Sequence, residues 1–147
     1  MININTGEII IGNNLIIINK NLNEKTLLSS KLYDKAESNY EINGWKYYTT
    51  EVIDILGTGF MMTFVFKKSK LNNVSLKHFG TIEERPFDIE NEKKRQEIHN
   101  EWLQKILGKS YETYVWGIKY KFEWGEVTSS FDPRTPQSEI YISYKKR

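Results

Sequence analysis

Between Tyr114 and Trp124 every second residue is aromatic or branched: Tyr114, Trp116, Ile118, Tyr120, Phe122 and Trp124. The residues between them, Val115, Gly117, Lys119, Lys121 and Glu123, are mostly small or charged. An unbroken period of two fits the pleat of a β-strand, whose side chains alternate between faces, and does not fit a helix. The pattern predicts one long strand over residues 114–124 with its even face buried. After Gly125 the apolar phase moves to Val127 and Phe131, as a β-bulge at that glycine would cause. Such a strand needs neighbours beside it and a second layer over its apolar face.

Those neighbours are visible along the chain. Ile9–Ile11 and residues 15–18 flank Gly12-Asn13-Asn14, a hairpin signal, because Gly and Asn tolerate positive φ. Residues 23–32 predict a short helix with Asn23 as cap and Glu24 in its first turn. Residues 34–44 are polar and end in the turn dipeptide Asn43-Gly44, so they are expected to connect rather than pair. Strands are expected at 45–53, 60–66 and 74–79, joined by a glycine-bearing turn at 56–59 and a connection at 67–73.

Pro86 and Asp88 open a longer helix that Gly108 stops, with Ile98, Trp102, Leu103 and Ile106 as its inward stripe. Its first half, residues 90–97, is polar and is expected to project over solvent. Residues 132–137 hold two prolines and predict a loop, and residues 139–144 form the last strand. The order ββ-α-βββ-α-ββ implies an α+β fold: a mainly antiparallel sheet with two helices on one face, as a single domain over 1–147.

Composition narrows the function classes. A chain of 147 residues with 39% hydrophobic and 27% charged residues can bury a core without staples. Without cysteine it has no disulfides, thiolate metal sites or cysteine nucleophile. A net charge of +2 argues for neither nucleic acid nor membrane. Lys67, Lys68, Lys70 and Lys77, with the basic end at 145–147, lie among aromatic residues that are in core phase, so nucleic acid is not expected as a partner. The first basic residue is Lys20, and the longest apolar run, 59–66, falls short of the roughly 18 residues that span a bilayer. A cytoplasmic location without membrane attachment is the expectation, and no oligomeric state is implied.

Catalytic chemistry finds no constellation. His78 is in phase with Val74 and Leu76 and is expected partly buried at a sheet end, whereas His99, near Glu97 and Glu101, is expected to be solvated. No His pair or HExxH spacing offers a metal site. Glu83-Glu84 beside Arg85 suit solvated or capping roles, Thr128-Ser129-Ser130 lack a nucleophile elbow, and Gly57-x-Gly59 suits a hairpin turn. No catalytic residue, metal or cofactor is therefore expected.

The segment Trp124-Gly125-Glu126-Val127-x-Ser129-x-x-Asp132-x-Arg134, followed by Ser138-x-Ile140-x-Ile142-x-Tyr144, resembles the terminal hairpin of small uncharacterised bacterial α+β proteins. Some of those accompany toxins as immunity-type partners. The resemblance covers this segment and implies no active site. Physically, Asp132 and Arg134 are expected to lock the loop around Pro133.

The leading functional expectation is a non-enzymatic interaction module that binds another protein, of immunity or inhibitor type. The aromatic surplus suggests Trp45, Tyr47, Tyr48 and Tyr141 as binding residues, with Arg134 as a further anchor. The alternative is a small-ligand binder or enzyme with an apolar pocket between sheet and long helix, lined by Trp116, Tyr120 or His78. A pocket above about 300 Å³ with convergent polar groups would favour that alternative.

Overall fold

The computed structural model describes residues 2–12, 16–32 and 36–145, with side chains from residue 39 onward in the last stretch. Its elements are β1 (Ile9–Ile11), β2 (Ile16–Ile18), α1 (Glu24–Leu28), β3 (Ala36–Ile42), β4 (Trp45–Thr50), β5 (Ile53–Ile55), β6 (Thr58–Lys67), β7 (Lys70–His78), α2 (Ile89–Leu107), β8 (Glu112–Tyr114), β9 (Gly117–Phe122), β10 (Gly125–Asp132) and β11 (Gln137–Tyr144). β1 and β2 pair antiparallel as a separate two-stranded sheet, and the Asn13-Asn14 of the expected hairpin turn lies outside the described residues. The other strands make one antiparallel sheet in the order β3-β4-β6-β7-β11-β10-β9-β8, with β5 beside the start of β6. The α+β class holds.

The sheet has more strands than the sequence pattern counts. Its long aromatic run is two strands: the chain turns at Val115-Trp116, and β8 folds back on β9 with Thr113 opposite Ile118. Gly117 makes this possible, with φ +151° and its α-carbon so close to β10 that an added Cβ would lie 1.8 Å from the Ser129 carbonyl oxygen. The phase change at Gly125 is likewise a hairpin turn rather than a bulge. Gly125 pairs regularly with Phe122 on one side and Tyr144 on the other, and its Cβ would meet the Ser143 carbonyl oxygen at 2.0 Å.

Two connections are shorter than expected. The polar stretch before Gly44 contains the edge strand β3, where polar side chains can face water and still pair. Between β6 and β7 only Lys68 and Ser69 turn, with φ of 51° and 64°, the two-residue hairpin geometry that matches strand twist. The expected strand over 45–53 breaks after Thr50 and resumes as β5.

Alternation then defines two faces. The inner one carries Tyr48, Phe60, Met62, Phe64, Phe66, Val74, Leu76, Ile118, Tyr120, Val127, Ile140 and Ile142, all buried. Helix α2 lies across it: Trp102 packs edge-on against Phe60 with ring centres 4.7 Å apart, and its indole N–H donates to the Ile55 carbonyl at 3.0 Å. Leu103 and Leu107 complete the buried stripe with His99, while Ile98 and Ile106 are only half-buried. α1 lies over the same face, where its Glu24 meets the side chains of Lys46 and Tyr48. Both caps act as expected, Asn23 on α1 and Asp88 on α2.

The polar first half of α2 does not project over solvent. Asn91, Glu92 and Arg95 are buried. Polarity alone did not decide their position, because each finds partners inside. Among the described residues no helix is long and apolar enough to cross a membrane.

Candidate functional site

Among the described residues the two helices lie over the inner face, and the outer face of the sheet is open. Its pairing register sets out rows of side chains. One row runs Thr49, Thr63, Ser75, Tyr141, Thr128 and Lys119 across β4, β6, β7, β11, β10 and β9. The next runs Tyr40, Tyr47, Val65, Asn73 and Ser143. Over β3 to β11 these rows and Trp45 line a groove of about 450 Å³, with Asn72 and Glu139 at its sides.

The groove mixes flat rings with neutral hydrogen-bonding groups. Tyr40 and Tyr47 stack face to face, centres 4.6 Å apart and planes 5° from parallel. Lys67 Nζ stands 4.7 Å from the Trp45 ring centre, a cation–π contact at the groove's end. The hydroxyls of Thr49 and Thr63 are 3.0 Å apart, and the Asn72 amide donates to Asn73 Oδ1 at 3.0 Å. Burial raises the titration of the Tyr141 hydroxyl, and the neighbouring Glu139 carboxylate raises it further, so the phenol stays protonated. Among the described residues of the lining, Glu139 is the one charged side chain.

Three of the five residues singled out from sequence, Trp45, Tyr47 and Tyr141, are brought together here. The other two are elsewhere. Tyr48 points to the inner face, packed edge-on against Phe66 at 5.9 Å, and its hydroxyl donates to Glu24 Oε2 at 2.9 Å. Neighbours in a strand point oppositely, so Tyr47 and Tyr48 never shared a face. Arg134 sits in the exposed turn after β10, where its backbone N–H and guanidinium donate to Asp132 at 2.9–3.1 Å. That turn is locked locally, as the spacing around Pro133 predicts.

Sequence reasoning missed Tyr40, Asn72, Asn73 and Glu139. Tyr40 and the asparagines lay in stretches read as connections. Glu139 carried a usable signal: it precedes Tyr141 by two, on the face opposite Ile140 and Ile142.

A second constellation lies between α2 and the sheet. Arg95, fully buried, donates from Nε to both oxygens of Glu92 at 3.1 and 3.2 Å, and from its terminal nitrogens to Glu84 and to the His78 carbonyl. Glu92 also accepts from the Ser138 N–H at 3.0 Å, tying α2 to β11. His78 bridges the Gly59 carbonyl at 2.7 Å and the Thr81 hydroxyl at 2.5 Å, so both ring nitrogens are engaged. His99, expected to be solvated, is buried, and its Nε2 accepts from the His78 N–H at 3.0 Å. Burial first, then the positive Arg95, lowers its pKa to about 3, so it is neutral at ordinary pH. A neutral, inaccessible imidazole is no acid catalyst. The cluster's chemistry is structural: it fastens the segment between β7 and α2.

The alternative reading places an apolar pocket between sheet and long helix. There Trp102 and Leu103 are buried, and the Tyr120 hydroxyl donates to the Gly108 carbonyl at 2.6 Å. Trp116 stacks on Tyr114 in the β8–β9 turn instead. Among the described residues no group of three or more His, Cys, Asp or Glu side chains is placed to hold a metal ion. No protein-family model, curated protein or solved structure matches the chain.

Proposed function

We propose that the protein is a non-enzymatic recognition module that binds another protein on the open face of its sheet. The observation that carries this is the make-up of the groove: Tyr40, Trp45, Tyr47 and Tyr141 over a bed of Thr, Ser and Asn. Tyr and Trp offer large rigid contact area at low entropic cost, and Ser, Thr and Asn add adaptable hydrogen bonds, as in antibody paratopes. An inhibitor or immunity role fits a module whose buried polar groups serve the scaffold. A cysteine-free chain suits a reducing cytoplasm, where we place the partner.

The test is site-directed photo-crosslinking in cells that make the protein. A crosslinker at Tyr47 should give a discrete protein adduct that Tyr141→Ala abolishes, while one at the exposed Lys105 on α2 should not. Equal adducts from both positions, or indifference to Tyr141→Ala, would overturn the reading.

A small-ligand reading has one observation in its favour. The groove volume falls in the range of ligand sites, and the Asn72 and Asn73 amides border it. On that reading the Tyr47 crosslinker yields no protein adduct, and a small molecule from cell extract protects the groove.

A further inference from the structure

We propose that the groove receives a proline-rich segment of the partner in the polyproline II conformation, with a basic residue at one end. The inference rests on the reading of the open face as a protein-binding surface. It begins with what the floor lacks. The backbone groups of β4, β6, β7 and β11 under the groove are already paired with one another. A peptide laid on a sheet face therefore meets no free ladder, as it would at an edge. A segment with many backbone N–H groups would bury them without strand partners, at a cost. Proline has no N–H, and polyproline II has no internal hydrogen bonds and projects its carbonyls outward.

The lining supplies the complement. The Trp45 indole N–H, the asparagine amides and the Tyr47 and Ser75 hydroxyls are donors for carbonyls. The rings of Tyr40, Trp45, Tyr47 and Tyr141 give flat surfaces for pyrrolidine rings, as in other proline-binding grooves. The span fits as well. Tyr40 on β3 and Tyr141 on β11 are four strand steps apart. At about 4.8 Å per step this is roughly 19 Å along the sheet, matched by about six residues of polyproline II at about 3.1 Å each.

Charge sets the direction. Glu139 beside Tyr141 calls for a basic residue at the β11 end, and Lys67 over Trp45 disfavours one at the other end.

The probes are capped peptides of about six prolines carrying an arginine at either end, with glutamate-ended versions as controls. Binding is followed by calorimetry and by tryptophan fluorescence, with Trp45→Phe to assign the signal. An arginine-ended peptide should bind with a dissociation constant below about 1 mM. Tyr47→Ala and Tyr141→Ala should each weaken it at least about tenfold. Glu139→Gln, which keeps the shape of this half-buried side chain and removes its charge, should erase the preference for arginine over glutamate, with urea unfolding of the variant checking that it folds.

No heat and no fluorescence change with any peptide would overturn the inference. So would binding that ignores all three substitutions, or capture of a neutral oligosaccharide such as maltotetraose in place of the peptides. In these outcomes a Tyr141-dependent adduct at Tyr47 still leaves the protein-binding reading standing. Its absence removes the reading beneath.

Discussion

Arg95 Nε donates to both carboxylate oxygens of Glu92, one turn earlier on α2, at 3.1 and 3.2 Å inside the protein. The pair is a junction rather than an isolated bridge, because Glu92 also holds Ser138 of β11 and Arg95 holds the carbonyl of His78 on β7. Arg95→Met should leave the buried Glu92 carboxylate without its cation and cost about 3–5 kcal/mol in urea denaturation. Adding Glu92→Gln should recover part of that loss. A single-variant loss below about 1 kcal/mol would mean the junction is not needed for folding.

His99 gives the fold a dependence on pH. Its folded pKa of about 3 lies below the ordinary value of 6.5, so the unfolded chain takes up its proton first as pH falls. Stability from the neutral ring is complete above about pH 6.5 and declines between there and pH 3, by up to about 1.4 kcal/mol per pH unit. His99→Gln, which keeps an acceptor for the His78 N–H, should flatten this part of the curve. Parallel slopes for wild type and variant in urea titrations at pH 7, 5 and 4 would contradict the assignment.

How far these features were legible differs from element to element. The caps Asn23 and Asp88, the stop at Gly108 and the β10–β11 turn were readable because each depends on a few adjacent residues. The break at Trp116 was not, since the alternation continues straight through it. Only the close approach of β10 to Gly117 distinguishes a hairpin from a long strand. Polar helix positions were misjudged for a similar reason: a partner such as Ser138 is 46 residues away in sequence from Glu92. On the open face, Tyr47 and Tyr141 could be suspected singly from residue type. Their meeting depends on β11 lying next to β7, which no local pattern encodes.

Gly125→Ala tests the hairpin account. The new methyl would strike the Ser143 carbonyl, so β10 and β11 must separate locally. The expected loss is at least about 1–3 kcal/mol by thermal or chemical denaturation. A neutral effect would mean that the strands give way easily there.

Trp102→Ala should cost about 3–5 kcal/mol, since it removes a buried ring and leaves the Ile55 carbonyl without its donor. Tyr48→Phe should cost only about 1 kcal/mol by removing the hydrogen bond to Glu24. If Tyr48→Phe instead spared stability and diminished partner crosslinking, its inner-face role would be wrong.

The place of β11 has a consequence for how the chain acquires its structure. It lies between β7 and β10, so among the described residues the half-sheet before α2 and the meander after it share no other strand pairing. Tyr144 at its end even reaches the carbonyl of Gly7, 137 residues earlier. Pairings this distant in sequence slow folding, because the intervening chain must be ordered before they form. During synthesis the groove's Tyr47 side therefore emerges long before its Tyr141 side exists. Any half-sheet formed before residues 137–144 arrive would leave the β7 edge open, the kind of edge that invites chaperones or aggregation.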